Sequence, residues 1–266
     1  MSTMTVVFAG VGADDSNVNA HAPLYPDGRF EYVPIPEKTP DTDESETYGS
    51  WALRYDDRIA AELTDRLDTY PEDGSAETVR DEAVADWPLH RDPNFEAMTY
   101  GEHREGFGQY VSRLSGLGED DVVAFYTSLV EERSERKHRY LVGYFTVEGR
   151  TVIEPGDPTD LKREKLARHP ENAHAKRAVE GVPFYDDKRL VLLDGRTPGG
   201  LFERDPIRLS EYRDRPDGSG GYYLDSAVAE RFAVSEGSDY MTRKPALVSE
   251  LDGEEFVERV GRPGDR

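Results

Sequence analysis

The sequence predicts a single α+β domain built on a bent antiparallel sheet or a small barrel. Two segments rich in β-branched and aromatic residues, 121–129 (DVVAFYTSL) and 140–147 (YLVGYFTV), are typical of neighbouring strands. Short apolar segments at 5–9 and 189–194 add strands toward both ends of the chain. Within residues 51–67, large apolar side chains recur at every fourth position, which is typical of an amphipathic helix.

Local signals place the remaining elements. The PDG sequence at 26–28 is typical of a turn, and residues 29–33 are predicted as the strand that follows it. Pro34 and Pro36 exclude a central strand beyond that point, because proline cannot donate a hydrogen bond to a sheet. Further helices are predicted at residues 107–114, 158–168, 172–180 and 225–234.

The domain organisation follows from the lack of an internal repeat and of a recognisable linker. A chain of 266 residues is long enough to bury a sizeable core. We expect one domain over residues 1–250, with a helical insertion at about 50–118, and a C-terminal extension at 251–266.

The composition is strongly acidic, with 55 Asp and Glu against 33 Lys and Arg and a formal charge of −22. The acidic residues are spread along the chain, which predicts a halophilic protein whose self-repulsion is screened by salt. The charge therefore indicates a salt-rich solvent rather than a particular binding partner. Contacts with phosphate must come from local basic groups.

Several classes of protein are excluded by what the sequence lacks. The chain contains no cysteine, so disulfides, a thiolate nucleophile and a zinc–thiolate site are excluded. It has neither a run of about 20 apolar residues nor the pattern of a signal peptide, so we expect a cytoplasmic protein with no membrane partner.

The first predicted strand runs into a loop rich in glycine, amide and carboxylate groups, GVGADDSNVNAHAP at residues 10–23. One interpretation is a set of turns in which Asp and Asn side chains bond nearby backbone groups. The other is a ligand site, since amides both donate and accept hydrogen bonds toward a base edge. A dinucleotide-binding loop is disfavoured, because Asp15 occupies the position of that motif's third glycine. The candidate ligand-binding residues are Gly10, Gly12, Asp14, Asn17, Asn19 and His21.

Two further segments carry candidate binding residues. Tyr100 lies in a predicted polar loop, where an aromatic ring can stack on a base. His174, Lys176 and Arg177 lie within one turn of a predicted helix. They form either a solvated helix end or an anion contact, with Lys176 and Arg177 on a phosphate and His174 as a hydrogen-bond or proton partner. We predict no cofactor and no metal site, because two adjacent carboxylates in the first loop are poor evidence for Mg²⁺.

Three separated motifs resemble one known family. They are FAGVGADDSNVNAHAPLYPDGRFEYVPIPE at residues 8–37, DPNFEAMTYGE at 92–102 and NAHAKR at 172–177. These motifs are similar to those of the family called nucleotide modification associated domain 3. That family is assigned to nucleic-acid modification systems, so the resemblance implies this setting and implies no particular reaction.

The later part of the chain resembles PUA-like domains, especially their EVE branch. Residues 119–126 (EDDVVAFY) and 140–147 are similar to two EVE strand motifs, and residues 205–213 (DPIRLSEYR) are similar to a later EVE segment. The glycine before the first motif is displaced to Gly118, and a long insertion precedes it. The resemblance implies a bent sheet or small barrel that recognises RNA or a modified base.

These observations predict recognition of a modified base or nucleotide, in DNA or RNA, within a modification or defence system. The alternative is an enzyme acting on a nucleotide or modified base, with Asp14 or Asp15 as general base or metal ligand and His21 or His174 as acid. A third possibility is an interaction module without a ligand. Recognition requires converging aromatic and amide groups, catalysis requires two or more titratable groups in a deep pocket, and an interaction module exposes an apolar patch.

Overall fold

The computed structural model describes residues 5–70, 75–103, 110–131, 134, 136–178, 180–214 and 219–261. Its strands are β1 (Val6–Gly10), β2 (Ala22–Leu24), β3 (Ile35–Pro36), β4 (Arg66–Thr69), β5 (Glu77–Arg80), β6 (Leu89–His90), β7 (Thr99–Glu102), β8 (Val122–Glu131), β9 (Lys137–Ile153), β10 (Leu190–Leu201), β11 (Ile207–Arg208), β12 (Ser210–Asp214), β13 (Gly220–Leu224), β14 (Val234–Glu236) and β15 (Leu247–Ser249). Its α-helices are α1 (Ala83–Asp86), α2 (Tyr110–Leu114), α3 (Thr159–Ala167), α4 (Ala173–Lys176), α5 (Ser226–Arg231) and α6 (Gly253–Val260). Short 3-10 helices lie at Ala60–Leu63 and Met241–Arg243.

One mixed sheet dominates the described part of the chain. Its main path runs β14-β15-β1-β8-β9-β10-β7, with β2 beside β8 and β11 beside β9. The predicted antiparallel pairing of residues 121–129 with 140–147 is confirmed by β8 and β9. The predicted antiparallel sheet is found only in part, because β1 and β2 pair with β8 in parallel. Parallel neighbours need a long crossover connection, and the segment between β1 and β8 supplies it.

The sheet is strongly curved. The rings of Tyr100 on β7 and Phe125 on β8 pack edge to face with centroids 5.1 Å apart. In a flat sheet these strands would lie about 14 Å apart, because β9 and β10 separate them and neighbouring strands are about 4.8 Å apart. Among the described residues, β14 and β7 are the two edge strands and do not pair with each other, so the sheet does not close into the predicted barrel.

The helix predicted over residues 51–67 is wrong. The buried carboxylate of Glu31 accepts the backbone N–H groups of Arg54, at 2.7 Å, and Tyr55, at 2.8 Å. The Arg54 side chain also donates to the carbonyl of Phe202, at 3.2 Å. Because these tertiary bonds take groups that a helix would use internally, the apolar residues of this segment pack from turns, the 3-10 helix and β4.

The other helix predictions have mixed outcomes. Helices α3, α4 and α5 lie within the ranges predicted for them. Helix α2 covers part of the predicted helix at 107–114, and residues 104–109 lie outside the described part of the chain. The predicted helical insertion at about 50–118 is mostly not helical in its described residues. It contains short strands with only α1, α2 and one 3-10 helix.

Helix α6 packs against the core. Phe256 is fully buried and contacts Phe8 on β1 edge to face, with ring centroids 5.7 Å apart. Val260 is also fully buried. The residues predicted as a C-terminal extension thus contribute core side chains. None of the described helices combines the length and apolar character needed to cross a bilayer.

Candidate active site at the end of the first strand

A cavity of about 240 Å³ lies where β1 ends. The loop after β1 forms one wall, β6 and β7 form another, and helix α4 contributes His174. Lys244, which follows the second 3-10 helix, completes the lining. Pockets for drug-sized ligands measure about 300–1,000 Å³, so this cavity suits a smaller group such as one base.

Some of the candidate residues line this cavity and others do not. Those that line it are Gly10, Gly12, Asp14, Asn17, Tyr100 and His174. Two clefts of about 470 Å³ and 520 Å³ are larger, and none of the candidate residues lines either of them. The three segments singled out in the sequence therefore each contribute to one concave surface, and ligand binding there stays a prediction.

The remaining candidates lie outside the cavity lining. Asn19 is exposed and donates to Asp65, at 2.6 Å. The Nε2 atom of His21 lies 2.5 Å from Asp15. Lys176 is paired with two carboxylates, those of Glu44 at 3.1 Å and Glu171 at 3.3 Å.

Arg177 is 2 % exposed and its guanidinium bonds Glu37, at 2.7 Å. The structure argues against the phosphate contact expected from Lys176 and Arg177, because both side chains are already paired with protein carboxylates.

The loop after β1 is folded by its own side chains. Asp14 accepts the backbone N–H of Ser16, at 2.9 Å, and its hydroxyl, at 2.5 Å. Asn17 accepts the backbone N–H of Asp14, at 2.9 Å. Gly12 has φ of +71°, a conformation that is energetically unfavourable for residues with a side chain. The interpretation of this loop as Asx turns is correct, and the same turns direct Asp14 and Asn17 to the cavity.

Lys244 ties this loop to the other side of the fold. Its Nζ donates to the carbonyls of Val11 and Gly12, both at 2.9 Å, and lies 3.0 Å from Asp14. Tyr110 adds a second tie: its hydroxyl accepts the N–H of Gly10, at 2.9 Å, and donates to the Lys244 carbonyl, at 2.6 Å. The position of the loop thus depends on residues that are more than 90 positions away in the chain.

Asp92 and His174 form a buried carboxylate–histidine pair in the cavity wall. His174 Nε2 lies 3.1 Å from Asp92 Oδ2, and the N–H of Gly101 donates to Oδ1 at 2.9 Å. A Cβ on Gly101 would lie 2.5 Å from the ring of His174, so only glycine permits this approach. Burial raises the pKa of Asp92 well above its usual range and lowers the pKa of His174 well below its own.

His90 lies beside this pair and is oriented by Glu37. The pairing of β3 with β6 sets Ile35 opposite His90 and brings Glu37 within reach of its ring. Glu37 Oε2 lies 2.8 Å from His90 Nδ1, and His90 Nε2 lies 3.7 Å from Asp92 Oδ2. Burial opposes ionisation of Glu37, but His90 and Arg177 outweigh it and lower its pKa to about 2. Glu37 is therefore an acceptor, and His90 keeps the Nε2 lone pair toward Asp92.

Arg177 connects the two histidines from behind the cavity. One nitrogen of its guanidinium donates to Glu37 and the other lies 3.0 Å from Nδ1 of His174. Because arginine only donates, His174 carries its hydrogen on Nε2 and donates it to Asp92. The guanidinium also lies over the ring of Phe184, at 4.9 Å. Asp92 accordingly accepts two hydrogen bonds while burial favours its protonation, which is the condition of a proton acceptor.

Tyr100 has a different part from the stacking platform expected of it. It lies on β7 rather than in a loop, it is 3 % exposed, and its ring packs on Phe125. The ring belongs mainly to the core, and only the part of Tyr100 that lines the cavity is available to a ligand.

Sequence reasoning missed Glu37, His90, Asp92 and Lys244. A usable signal was the HRD sequence at 90–92, since a histidine and an aspartate two positions apart fall on one side of an extended chain. Glu37 and Lys244 had no such signal, because strand pairing and a distant turn bring them to the site.

Comparison with known proteins now adds the family. The sequence profile of nucleotide modification associated domain 3 matches residues 5–259. The chain belongs to this family. No match was found among curated proteins or among solved structures. The family name associates this protein with nucleotide modification, and the cavity lining includes residues from each of the three motifs that carried the resemblance.

The Asp14–Lys244 pair predicts a pH dependence of stability. Burial alone would raise the pKa of Asp14, but Lys244 and Ser16 outweigh it and hold the pKa well below its usual range. A lowered carboxylate pKa stabilises the fold above the unfolded value of about 4, and this stabilisation is lost as the pH falls below it. We expect Asp14→Asn to lower the free energy of unfolding at pH 7, with a smaller difference from the parent protein at pH 3.

Urea unfolding at pH 7, 5 and 3 measures this difference. Asp27→Asn, at an exposed carboxylate that pairs with Arg29, serves as the control and should change little. An Asp14→Asn defect of equal size at pH 7 and pH 3 would contradict the prediction.

Proposed function

We propose that this protein is an enzyme that acts on a nucleotide or on a modified base within a nucleotide-modification system. The observation that supports this most is the buried cluster of His90, Asp92 and His174 in the wall of a base-sized cavity. Convergence of several titratable groups with opposed pKa shifts is typical of a catalytic site. The carboxylate–histidine pair in this proposal is Asp92–His174, and it replaces the pairs considered from the sequence.

The cluster suits proton transfer to or from a base. His90 offers a lone pair at Nε2, because Glu37 takes the hydrogen at Nδ1. Asp92 is a carboxylate whose burial favours uptake of a proton. His174 holds Asp92 in place through Nε2–H. In this proposal His90 or Asp92 accepts the proton, and Glu37 and Arg177 orient the two imidazoles.

The opposite wall supplies recognition. Asn17 and Asp14 offer hydrogen-bonding groups beside the backbone of Gly10 and Gly12. The Asn17 amide can donate and the ionised Asp14 carboxylate can accept, so together they can bond both kinds of group on the edge of a base. Recognition without reaction is the second candidate function, and it is favoured by this loop alone. The charge of −22 supports a halophilic cytoplasm as the proposed setting.

Binding is tested by the shift in melting temperature with nucleosides, nucleotides and short oligonucleotides that carry ordinary or modified bases. Asn17→Asp keeps the oxygen that holds Asp14 and removes the amide donor, so it should weaken binding about fivefold. Asn19→Ala, in the same loop but outside the cavity lining, is the control. Equal binding by both variants and the parent protein would contradict a base-binding role for this loop.

Reaction is tested separately. Nucleic acid and free nucleotides are incubated with the protein, and the products are digested to nucleosides and analysed by mass spectrometry. We expect a change in mass of one nucleoside, its loss in His90→Gln and Asp92→Asn, and its retention in His169→Gln. His169 is a buried histidine paired with Asp194 at 3.0 Å and does not line the cavity. Binding with no change in any nucleoside would favour recognition alone.

A further inference from the structure

We propose that His90, Asp92 and His174 form the binding site of a divalent transition-metal cation. The sequence predicted no metal site, and the proposal rests on the geometry of three buried side chains that come from β6, the loop after it and α4. Two imidazoles with one carboxylate suit cations such as Zn²⁺, Fe²⁺ or Co²⁺ better than Mg²⁺ or Ca²⁺, which prefer oxygen ligands.

The separations of the ligand atoms are close to those around a bound cation. Ligand atoms at about 2.0–2.2 Å from a tetrahedral cation lie about 3.4 Å from one another. Asp92 Oδ2 lies 3.1 Å from His174 Nε2 and 3.7 Å from His90 Nε2. One ligand atom from each of the three side chains lies within 4.8 Å of the other two. Small side-chain rotations therefore complete the site.

Groups behind the cluster orient it for coordination. Metal-binding histidines usually donate their second ring N–H to a carboxylate or carbonyl, and bound carboxylates are themselves hydrogen-bonded. Glu37 is 2.8 Å from Nδ1 of His90, which directs Nε2 to the cluster. The N–H of Gly101 holds the second oxygen of Asp92 at 2.9 Å. These bonds leave Nε2 of His90 and Oδ2 of Asp92 directed into the cluster, where each can be a metal ligand.

The charge of the cluster also favours a cation. Arg177 is paired with Glu37, and Lys244 with Asp14. Among the described residues, the ion-pair contacts of Asp92 are with the two histidines, at 3.7 Å and 3.1 Å, and not with a lysine or arginine. The carboxylate thus lacks a permanent positive partner at close range, and a divalent cation supplies one.

Arg177 sets the cost of coordination. Without a cation, its guanidinium lies 3.0 Å from Nδ1 of His174, so the ring hydrogen is on Nε2. A cation needs the lone pair at Nε2, so the hydrogen must move to Nδ1 and the guanidinium must give up this bond. It keeps its second bond, to Glu37. Cation binding therefore reverses the tautomer of His174.

The cation would face the cavity. The three ligands lie in the cavity wall together with Asp14, so a cation held by them would face space open to water or substrate. Three protein ligands with an open position are typical of catalytic rather than structural sites. The catalytic meaning rests on the proposed function: water on the cation would become the proton acceptor or nucleophile in place of a free His90.

The first experiment measures metal binding by the full chain. Protein stripped with EDTA is titrated with Co²⁺ and Zn²⁺, bound metal is counted by mass spectrometry, and the visible absorption of Co²⁺ reports the ligand geometry. We expect one cation per chain, and binding weaker by about tenfold or more in His90→Ala, Asp92→Asn and His174→Ala. His169→Ala is the control and should bind as the parent protein does.

A spectroscopic test avoids dependence on the variants' folding. The ring ¹⁵N shifts of the parent protein should show His174 with hydrogen on Nε2 in EDTA and on Nδ1 with Zn²⁺. No bound cation, binding unchanged in the three variants, or an unchanged tautomer would each overturn the proposal. Nucleotide binding measured in EDTA separates the two proposals: if it persists without any metal binding, only the metal site fails, and if metal binds but no nucleotide does, the proposed function fails.

Discussion

Arg177→Met should lower the free energy of unfolding by about 3–5 kcal/mol. Arg177 and Glu37 are each 1 % exposed in their side chains, and their bond is 2.7 Å long. Methionine fills a similar volume but leaves the Glu37 carboxylate buried beside His90 without its guanidinium. Removing one partner of a buried ion pair costs more than the pair contributes, because an uncompensated charge remains.

Urea unfolding of the parent protein and the variant measures this loss. Arg29→Met removes a cation whose ion pair with Asp27 is exposed, and it should cost about 0–1 kcal/mol. The double variant Glu37→Gln with Arg177→Met should recover part of the loss, because neither charge of this pair is then left buried without its partner. A loss below about 1 kcal/mol for Arg177→Met, with the double variant no more stable, would show that water reaches this pair.

Lys244→Met should cost about 3 kcal/mol and should also impair the cavity. The variant removes the donor to the carbonyls of Val11 and Gly12 and the partner of Asp14. The two carbonyls then lose this donor in a mostly buried place, which is more costly than losing a hydrogen bond in water, and the Asp14 carboxylate keeps, among the described residues, only its bonds from Ser16. Methionine has nearly the length of lysine, so the change tests the charge and the hydrogen bonds more than the packing.

Two measurements separate the consequences. Urea unfolding gives the loss of stability, and the melting-temperature shift with a nucleotide gives the effect on binding. Lys188→Met, at an exposed lysine beside Asp187, is the control and should change neither. If Lys244→Met is as stable as the parent protein, the fold of the Gly10–Asp14 loop does not depend on the bonds from Lys244.

The two proposals for the cluster differ in where the proton goes. In the proposal without a cation, His90 or Asp92 accepts it directly, and Glu37 and Arg177 fix the orientation of the rings. In the proposal with a cation, the same side chains would be its ligands, and water bound to the cation would supply the proton acceptor. Both proposals rest on the same cavity, and the tautomer of His174 distinguishes them.

Local sequence determined the pairing of β8 with β9 and the nature of the loop after β1. The strands are dense in β-branched and aromatic residues, and such side chains pack well on a pleated surface. The loop has glycine at a positive φ and Asp and Asn in short-range turns, interactions that span only two or three residues. Signals of this range are contained in the sequence itself.

Tertiary contacts decided the rest, and the helix predicted at 51–67 shows why. Its spacing is that of a helix, but Glu31 takes the backbone donors of Arg54 and Tyr55 from 23 and 24 positions away. The site follows the same rule. Glu37 reaches His90 through the pairing of β3 with β6, and Arg177 lies 140 positions beyond Glu37. Local periodicity does not record such pairings, because they form only when the chain has closed a long loop and buried the charges together.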